Sequence, residues 1–332
     1  MAEILVTGGA GFIGGHLAVA LLADGHTVDL LDDFSRAVHD DTLASLAAGA
    51  GGRLRLREGD ILDPATLPRL DAHYDIVFHL AAIIGVAHVL QRPYDVLWKN
   101  VALLDRVLSF ARTQPRLRRL VFASTSEVYA GTLQHFTLPF PTPETAPLAV
   151  TDLGHPRTSY MLSKLYGEAM CRHSGLPFTI VRPHNFYGPR MGLSHVVPEL
   201  LRRAVETPDG TPFEVYSTSH RRTFCYIDDA AEMLRAAALN EACVGQTLNL
   251  GRQEPEVSIG ELAEVVLRVV GRRLAIHPLP ETPGSPPRRC PDMSRTIALL
   301  GPRPQLDLAE GVRRTYDWYR THVFGGRGPS AI

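Results

Sequence analysis

A tyrosine and a lysine four residues apart form the pair in this sequence best suited to acid–base chemistry. Tyr160 and Lys164 fall within a helical pattern over residues 159–173, so both side chains project from one face of the predicted helix. A phenol ionises at about pH 10, and a neighbouring ammonium stabilises the phenolate and lowers that pKa. The pair therefore predicts a base that removes a proton from a substrate hydroxyl group.

A glycine-rich segment near the start of the chain predicts a dinucleotide site. Its three glycines at three-residue intervals follow a strand-like run and open a helical pattern. Glycine is needed at such a turn because a Cβ would keep the backbone away from a pyrophosphate, and the helix N-terminus offers unpaired N–H groups to the phosphate charge. The candidate cofactor contacts in this turn are Gly8, Gly11, Phe12, Ile13 and Gly14.

An acidic residue at the end of the second predicted strand decides which dinucleotide fits. The Asp32 carboxylate would accept hydrogen bonds from the adenosine ribose hydroxyls and would repel a 2′-phosphate, so the sequence predicts NAD rather than NADP. Asp60 and Ile61 follow the third predicted strand. Asp60 has two open interpretations, a residue near the adenine ring or an ordinary strand-end turn residue.

The elements that must position these residues alternate along the first half of the chain. Apolar runs of strand length are separated by helical patterns, which predicts an α/β fold with a parallel, doubly wound sheet of the Rossmann type. The predicted strands span residues 4–6, 27–31, 54–56, 76–80, 120–123 and 178–182, and the predicted helices span residues 14–23, 94–112 and 159–173.

After about residue 185 the alternation becomes less regular, which predicts a second, smaller mixed α/β domain that binds the substrate as a lid. Its helical patterns cover residues 197–205, 230–239, 259–270 and 308–320, between loops that contain Pro and Gly. We place the cofactor-binding domain at 1–183 with a returning segment at about 222–252, the lid at 184–221 and 253–324, and a loose tail at 325–332.

Composition limits the classes of partner. The chain has 332 residues, and 34 basic against 35 acidic residues leave no global field that would recruit nucleic acid or a membrane surface. Four cysteines without a C-x-x-C pair and histidines without an H-E-x-x-H pattern imply no metal. No apolar stretch reaches the ~18 residues of a membrane span, and no secretory signal precedes the first strand. We therefore expect a cytoplasmic protein.

Motifs along nearly the whole chain occur in an order typical of one enzyme family. They are the Gly8/Gly11/Gly14 turn, His79-Leu80-Ala81-Ala82, Asn100, Ser124-Thr125-Ser126-Glu127-Val128-Tyr129, Tyr160-Met161-Leu162-Ser163-Lys164, Arg182-Pro183-His184-Asn185-Phe186-Tyr187-Gly188-Pro189 and Arg222-Thr223-Phe224-Cys225-Tyr226-Ile227-Asp228-Asp229. With them the sequence resembles the extended short-chain dehydrogenase/reductase family of nucleotide-sugar epimerases, dehydratases and decarboxylases. The resemblance implies an enzyme that binds NAD and a nucleotide-sugar substrate.

The resemblance also assigns roles to individual residues. Thr125 stands where the family places a hydroxyl that hydrogen-bonds the reacting oxygen, and Asn185 matches a residue that contacts the substrate diphosphate. Arg222 and Arg289 match basic residues that hold the diphosphate, a task that suits the planar guanidinium fork. Further candidates are Leu80, Ala81, Ala82 and Asn100 at the cofactor, and Val197 at the substrate.

Two residues near these motifs are expected to serve the fold. Asn249 in Asn249-Leu250-Gly251 is interpreted as structural. His184 takes a place where many relatives have an aromatic residue, and we expect a packed histidine whose ring nitrogens are satisfied.

The simplest reaction of the family is 4-epimerisation, in which the sugar is oxidised at C4 and re-reduced from the opposite face. It needs only Tyr160, Lys164, Thr125, bound NAD and room for the ketose to turn over. All three residues are present, so an NDP-sugar 4-epimerase is the first interpretation. Non-catalytic NAD-binding relatives typically lose the tyrosine or the lysine, which disfavours a scaffold or redox sensor.

Glu127 keeps two other reactions open. The triplet of residues 125–127 resembles that of GDP-mannose dehydratases, where the glutamate removes a C5 proton, and that of UDP-glucuronate decarboxylases. The run Arg289-Cys290-Pro291-Asp292 strengthens the decarboxylase link because Arg289 could pair with a substrate carboxylate. Residues 82–86 and 154–159 depart from the decarboxylase pattern, so decarboxylation comes second.

A dehydratase comes third, because Ser126 replaces the aspartate that protonates the departing hydroxyl in sugar 4,6-dehydratases. Ser126 stays among the candidate catalytic residues. The predicted helices at residues 94–112 and 159–173 correspond to those that family members pack into a dimeric four-helix interface. The resemblance therefore implies a homodimer.

Overall fold

Strands and helices alternate along most of the chain in the structure, a computed structural model that describes residues 1–35, 41–70, 73–282, 285–303 and 305–325. The strands are β1 (Glu3–Thr7), β2 (Thr27–Asp32), β3 (Leu54–Glu58), β4 (Ile76–His79), β5 (Arg119–Ala123), β6 (Phe178–Pro183), β7 (Phe186–Tyr187), β8 (Phe213–Tyr216), β9 (Arg221–Arg222), β10 (Cys225–Tyr226), β11 (Thr247–Leu250), β12 (Val257–Ser258), β13 (Ile276–Leu279) and β14 (Arg288–Arg289). The helices are α1 (Phe12–Ala23), α2 (Thr42–Gly49), α3 (Val86–Gln91), α4 (Pro93–Arg112), α5 (Ala130–His135), α6 (Arg157–His173), α7 (Val196–Glu206), α8 (Ile227–Leu239), α9 (Ile259–Val270), α10 (Ser294–Leu300) and α11 (Leu308–His322).

Seven strands form one parallel sheet in the order β11-β6-β5-β4-β1-β2-β3. The strand order changes direction between β1 and β4, because the chain builds outward from β1 first to one side and then to the other. In open parallel sheets, ligands bind at this switch point, beyond the carboxyl ends of the strands. The sheet confirms the predicted doubly wound α/β fold and indicates where its site should lie.

Alternate residues of each central strand enter different halves of the core. Ile4 and Val6 of β1 pack into one cluster, and Leu5 between them packs into the other. This alternation follows from the period-two pleat of a strand, and apolar residues at every position mark a sheet that is covered on both faces. Helices α1 and α8 contact each other, as do α4 and α6.

Gly167 lets helix α6 approach the sheet closely. A Cβ at this position would lie 2.5 Å from the Phe122 ring and 3.1 Å from Leu104. At 2.5 Å a Cβ would force the Phe122 ring to move, so the glycine lets α6 pack this tightly against β5 and α4. The close packing matters because α6 carries Tyr160 and Lys164.

Short strand pairings hold the second half of the chain together. Strand β9 pairs with β12 and β14, β8 pairs with β13, and β7 pairs with β10. Helix α9 begins at a capping box in which the Ser258 hydroxyl accepts from the Glu261 N–H and the Glu261 carboxylate accepts from the Ser258 N–H, and it ends at Gly271 with φ +79°. Such reciprocal capping fixes a helix start without help from the core.

Every predicted strand and helix is present, with ends shifted by a few residues. The sequence did not predict helices α2, α3, α5 and α10, nor β11 as a strand of the main sheet. Of the predicted tail, residues 326–332 lie outside the described residues. Within the described ranges, no helix combines the length and apolar character that crossing a membrane requires.

Candidate active site

Helix α6 carries the predicted acid–base pair. Lys164 is buried, and its Nζ donates to the Ala123 carbonyl oxygen at the end of β5 over 2.8 Å. The same Nζ lies 5.9 Å from the centre of the half-buried Tyr160 ring. The ammonium is therefore fixed between the edge of the sheet and the phenol, as the four-residue spacing predicted.

The burial of Lys164 has an electrostatic cost. Desolvation lowers the pKa of its ammonium to about 8, although the nearby Cys171 thiol opposes the shift. Burial and the Lys164 charge also lower the pKa of His79 to about 3, so this imidazole, 2.8 Å from the Thr7 hydroxyl, stays neutral. Lys164 is then a lysine that can lose its proton only slightly above neutral pH.

The segment after β5 presents the predicted hydroxyl. The Thr125 Oγ1 accepts a hydrogen bond from the Glu127 N–H over 3.2 Å and so caps the single helical turn Ser126–Tyr129. Because a hydroxyl can accept and donate at once, the Thr125 proton remains available to a substrate oxygen. The cap also sets the direction in which Glu127 leaves the backbone.

Glu127 forms an ion pair with Arg289, although the two residues are far apart in the sequence. Burial alone would raise the pKa of the Glu127 carboxyl. The charge and hydrogen bond of Arg289, with the charges of Arg157 and Arg222, bring that pKa below its ordinary value instead. Glu127 is therefore ionised at neutral pH and is surrounded by guanidinium groups.

Two of these arginines lie side by side because their strands pair in register. In the parallel pairing of β9 and β14, Arg222 stands opposite Arg289. Arg222 is buried, and its hydrogen bonds run to the neutral oxygens of Arg221, Ser285 and Pro286. Burial and the Arg289 charge lower its pKa to about 9. A buried, crowded cation of this kind is stabilised by an anionic ligand.

The glycine turn has the geometry that a pyrophosphate requires. Gly8 has φ +71°, and a Cβ there would lie 2.7 Å from the Ala81 nitrogen. A Cβ on Gly14 would lie 2.6 Å from the Gly9 carbonyl oxygen. Gly11 precedes helix α1 as its N-cap and provides no side-chain cap, and the first turn of the helix has no acidic residue. Its N-terminal N–H groups are thus left for phosphate oxygens, and the turn fits NAD.

Asp32 is held at the end of β2 beside this turn. Its carboxylate accepts hydrogen bonds of 2.9 Å from the Ala10 and Phe34 N–H groups. Burial nevertheless raises its pKa. The carboxylate is therefore fixed by the turn itself, in the position from which a ribose diol would be recognised.

The other predicted cofactor residues divide into two kinds. Asn100 grips the Ile83 backbone at both ends, accepting from its N–H over 2.7 Å and donating to its carbonyl over 3.1 Å, so it shapes the loop that follows β4. Asp60 is exposed and accepts from the Leu62 N–H, which favours the strand-end turn interpretation, and Ile61 lies in the core. That Asn100, Asp60 and Ile61 contact NAD stays a prediction.

A cleft of about 600 Å³ collects the predicted substrate residues. Asn185, at φ +45°, donates to the Thr223 carbonyl oxygen over 2.9 Å and lines the cleft after β6. Val197 lines the cleft and also belongs to the hydrophobic core, since it is 1% exposed. The predicted residues that line this cleft are Glu127, Asn185, Val197, Arg222 and Arg289.

The remaining catalytic candidates adjoin the cleft. Thr125 and Tyr160 do not line the cleft. Glu127, two residues after Thr125, does. Ser126 instead lines a smaller neighbouring cavity, which shares Glu127 and Arg289 with the cleft.

Sequence reasoning missed Arg157 and His220 in the cleft wall. Arg157 had a usable signal, because it precedes Tyr160 by three residues and so shares its face of α6. His220 had none, since its place in the wall depends on tertiary contacts, such as that of its carbonyl oxygen with the Ile259 N–H.

His184 and Asn249 are both buried beneath the cleft. The Asn249 side chain is bonded to Tyr129, Thr142, His184 and Asp292, which confirms its structural role. The expectation for His184 is only half right. Its Nε2 contacts Asn249 Oδ1 over 3.1 Å, whereas Nδ1 has no partner among the described residues.

Known proteins resemble this chain along almost all of its length. A profile of the NAD dependent epimerase/dehydratase family matches residues 4–251. UDP-N-acetyl-alpha-D-glucosaminuronate decarboxylase of Bacillus cytotoxicus is 31% identical over 331 residues, which cover 95% of this chain and 97% of the relative. UDP-glucuronic acid decarboxylase 1 of Danio rerio is 31% identical over 329 residues, or 96% and 72% of the two chains.

Solved structures of nucleotide-sugar enzymes also resemble this chain along almost its whole length. The UDP-glucuronic acid 4-epimerase from Bacillus cereus, in complex with UDP-glucuronic acid and NAD, superposes with a TM-score of 0.80 at 26% identity, covering 96% of this chain and 99% of that one. Because the profile covers residues 4–251 and the relatives match along nearly the whole chain, this chain belongs to the NAD dependent epimerase/dehydratase family of nucleotide-sugar enzymes.

Proposed function

We propose that this protein is a decarboxylase of a UDP-linked uronate. The sequence motifs alone predict a 4-epimerase ahead of a decarboxylase, but the relatives at 31% identity carry decarboxylase names. The charge distribution of the cleft supports the same choice.

The observation that carries the proposal is the set of charges around Glu127. Arg157, Arg222 and Arg289 all act on this one carboxylate, so three positive charges minus one negative charge leave an excess of two. A neutral sugar linked to a diphosphate would use that excess at one end of the cleft only. A uronate adds a carboxylate on the sugar itself, which gives Arg289 an anionic partner close to the reacting carbons.

Arg289 is the group we assign to the substrate carboxylate. It already holds a carboxylate, that of Glu127, in the wall shared by the cleft and the small cavity. A planar guanidinium can bind a second carboxylate edge-on, and a bidentate pair would fix the orientation of the substrate group. Glu127 beside it then faces another negative charge, which disfavours the bound carboxylate and favours its loss as neutral carbon dioxide.

The first step belongs to the α6 pair. Tyr160 removes the proton of the C4 hydroxyl, the Lys164 charge stabilises the phenolate, and the Thr125 hydroxyl holds the reacting oxygen. Bound NAD supplies the chemistry of reversible hydride transfer at C4. A ketone at C4 then stands next to C5, which bears the carboxylate.

The second step breaks the bond between C5 and the carboxylate carbon. Its electron pair passes into the enolate conjugated with the C4 carbonyl, carbon dioxide leaves, and C5 takes up a proton. Tyr160 finally returns its proton to the C4 oxygen as the ketone is reduced. The residues of this chain hold the enolate oxygen through Thr125 and Tyr160, which are the donors beside C4.

The test is incubation of the NAD-loaded protein with UDP-glucuronate, its 2-acetamido counterpart and UDP-glucose, followed by mass measurement of the products. Loss of carbon dioxide from a uronate supports the proposal. An unchanged mass with a new stereoisomer would instead show 4-epimerisation, and loss of water would show dehydration. Arg289→Lys should abolish carbon dioxide release, and Arg221→Lys, on the exposed neighbour in β9, is the matched control.

We also propose a homodimer through α4 and α6. These helices pack against each other, yet they leave three large aromatic side chains exposed: Tyr94 at 76%, Trp98 at 43% and Tyr166 at 60%. Exposed aromatic rings on neighbouring helices are typical of protein interfaces. Sedimentation of the wild type should give a dimer that Trp98→Glu weakens, and a wild-type monomer at micromolar concentration would refute the interface.

A further inference from the structure

A chain of buried hydrogen bonds fixes the protonation of His184. Arg182 can only donate, and its Nη1 lies 2.7 Å from the Tyr129 hydroxyl oxygen. Tyr129 therefore turns its own proton to Asn249 Oδ1, 2.9 Å away. That oxygen accepts, so the Nε2 of His184, 3.1 Å from it, must carry a hydrogen. Burial lowers the pKa of His184 to about 3, so the ring is neutral and Nδ1 is left with a bare lone pair.

The amide of Asn249 cannot be turned over to reverse this assignment. Its Nδ2 lies 2.9 Å from the Thr142 carbonyl oxygen and 3.3 Å from that of Asp292, and both are acceptors only. Exchanging Oδ1 and Nδ2 would face an amide oxygen with two carbonyls. The direction of every proton from Arg182 to His184 thus follows from groups whose donor or acceptor character is fixed.

Nδ1 of His184 belongs to a residue that lines the small cavity. His184 is 2% exposed, and no hydrogen-bond donor for Nδ1 exists among the described residues. The cavity measures about 20 Å³ and is also lined by Ser126, Glu127 and Arg289. This is room for one water molecule, which needs at least about 10–15 Å³ and polar partners.

The proposed decarboxylation needs a proton that the described active-site side chains do not supply. Tyr160 takes one proton from the C4 hydroxyl and returns it to the same oxygen, so it has no proton left to give to C5. Glu127 is ionised, since its pKa lies below the ordinary value, and Arg289 has a partner to hold. Lys164 has to keep its proton to stabilise the Tyr160 phenolate, so we assign the proton that C5 gains to solvent.

We propose that His184 Nδ1 and the polar groups around it hold a water molecule in the small cavity, and that this water protonates C5 after carbon dioxide leaves. This inference rests on the proposed decarboxylase function. In the step, one O–H bond of the water breaks, the C5–H bond forms from the enolate electron pair, and the hydroxide that remains beside Arg289 is reprotonated by bulk water. His184 is a positioning residue, because it acts through the water.

Two substitutions at this position separate the ring nitrogens. In His184→Gln the amide reaches the place of Nε2 and can still donate to Asn249, but nothing replaces Nδ1. In His184→Asn a polar atom occupies the place of Nδ1, and the Asn249 contact is lost. A role for the water requires the Asn variant to resemble the wild type and the Gln variant to differ, whereas a purely structural role of His184 predicts the reverse order.

The experiment is turnover of a UDP-linked uronate in deuterium oxide, with the two hydrogen positions at C5 of the pentose product resolved by nuclear magnetic resonance. We expect the wild type and His184→Asn to place deuterium at one of the two positions. We expect His184→Gln to place it at both and to turn over about tenfold more slowly, the loss that corresponds to one weakened contact in the transition state. Single-face labelling at the wild-type rate in His184→Gln would overturn the proposal.

A high-resolution crystal structure of the wild-type protein gives an independent check. It should show an ordered water within hydrogen-bond distance of His184 Nδ1, and that water should be missing in His184→Gln. A dry cavity in the wild type would overturn the water site whatever the variants do. If no uronate loses carbon dioxide, the proposed function and the proton-donor role fall together, and the crystal structure still decides whether the water site exists.

Discussion

The cofactor region and the substrate region of this protein are built in opposite ways. The cofactor turn and Asp32 come from one βαβ unit near the start of the chain, and the turn offers backbone groups and the end of a helix to a phosphate. The substrate region is assembled from distant segments, with Glu127 and Arg289 separated by 162 residues, and it binds with side-chain charge. A site built from neighbouring residues can be recognised from their spacing in the sequence. A site assembled from distant segments can be recognised only once the fold is known.

The largest effect is expected where the two regions meet, at Tyr160. Tyr160→Phe removes the only proposed base at C4, and a positioned acid–base group contributes about 10²–10⁴-fold to a rate. We expect turnover to fall by about 10³-fold within that range, with the NAD content of the purified protein unchanged. Tyr166→Phe, on the same helix, is the matched control, since it removes the same hydroxyl but keeps the ring that we place in the dimer interface. A Tyr160→Phe enzyme with near wild-type turnover would remove Tyr160 from the mechanism.

Glu127→Gln tests the substrate region. The substitution leaves three guanidinium groups without their carboxylate, so anionic substrate should bind at least as tightly while the negative charge that drives out carbon dioxide is gone. We expect kcat to fall by about 10²-fold with an unchanged or lower KM, a split that points to a loss confined to the transition state. Glu256→Gln, which pairs with Arg221 and Arg288, is the control. Unchanged kcat would make Glu127 a bystander.

The cofactor region is broken by Asp32→Asn. The variant keeps an oxygen that can accept from Ala10 or Phe34 but loses the charge that the ribose diol prefers. One weakened charged hydrogen bond, worth about 1.5–3 kcal/mol, should lower NAD affinity about tenfold or somewhat more and raise the relative affinity for NADP. NAD content after purification, measured against Asp33→Asn, checks this. Equal NAD content in both variants would mean that Asp32 serves the turn and not the ribose.

The pH dependence of turnover tests the role of the Lys164 charge, which lies between the cofactor region and the substrate region. Its pKa is lowered to about 8, so above that pH the charge that stabilises the Tyr160 phenolate is lost and kcat/KM should decline severalfold. Stability should not decline with it. The unfolded lysine binds its proton more tightly than the folded one, so this group makes stability rise with pH between about 8 and its ordinary value.

Turnover and thermal melting measured across the alkaline range separate the two effects. A fall in kcat/KM without a fall in melting temperature supports the assignment to Lys164. Activity that holds well above pH 8 would show that the bound substrate and cofactor restore the lysine pKa.

The cofactor region could be predicted because each residue is tied to its neighbours along the chain. Gly8 and Gly14 stand where a Cβ would strike the backbone, so the constraint is local and appears as glycine spacing. Lys164 follows Tyr160 by one helical turn, which again is a local relation. The alternating apolar runs gave the strands for the same reason.

The substrate region could be predicted only as a set of residues. Arg222 and Arg289 match family positions, but their register on β9 and β14 depends on two-residue strands that no periodicity reveals. The bare Nδ1 of His184 depends on Arg182, Tyr129 and Asn249, which lie on different elements. Tertiary contacts of this kind leave no pattern in a single sequence.

The most direct test of the central claim is the fate of the substrate carboxylate carbon. UDP-glucuronate labelled at that carbon is incubated with the NAD-loaded protein, and released carbon dioxide is trapped and counted against the nucleotide product. The account predicts that the label leaves as carbon dioxide in step with the formation of a UDP-pentose, and that Arg289→Lys stops both. Complete retention of the label in a UDP-hexuronate of altered stereochemistry would contradict it.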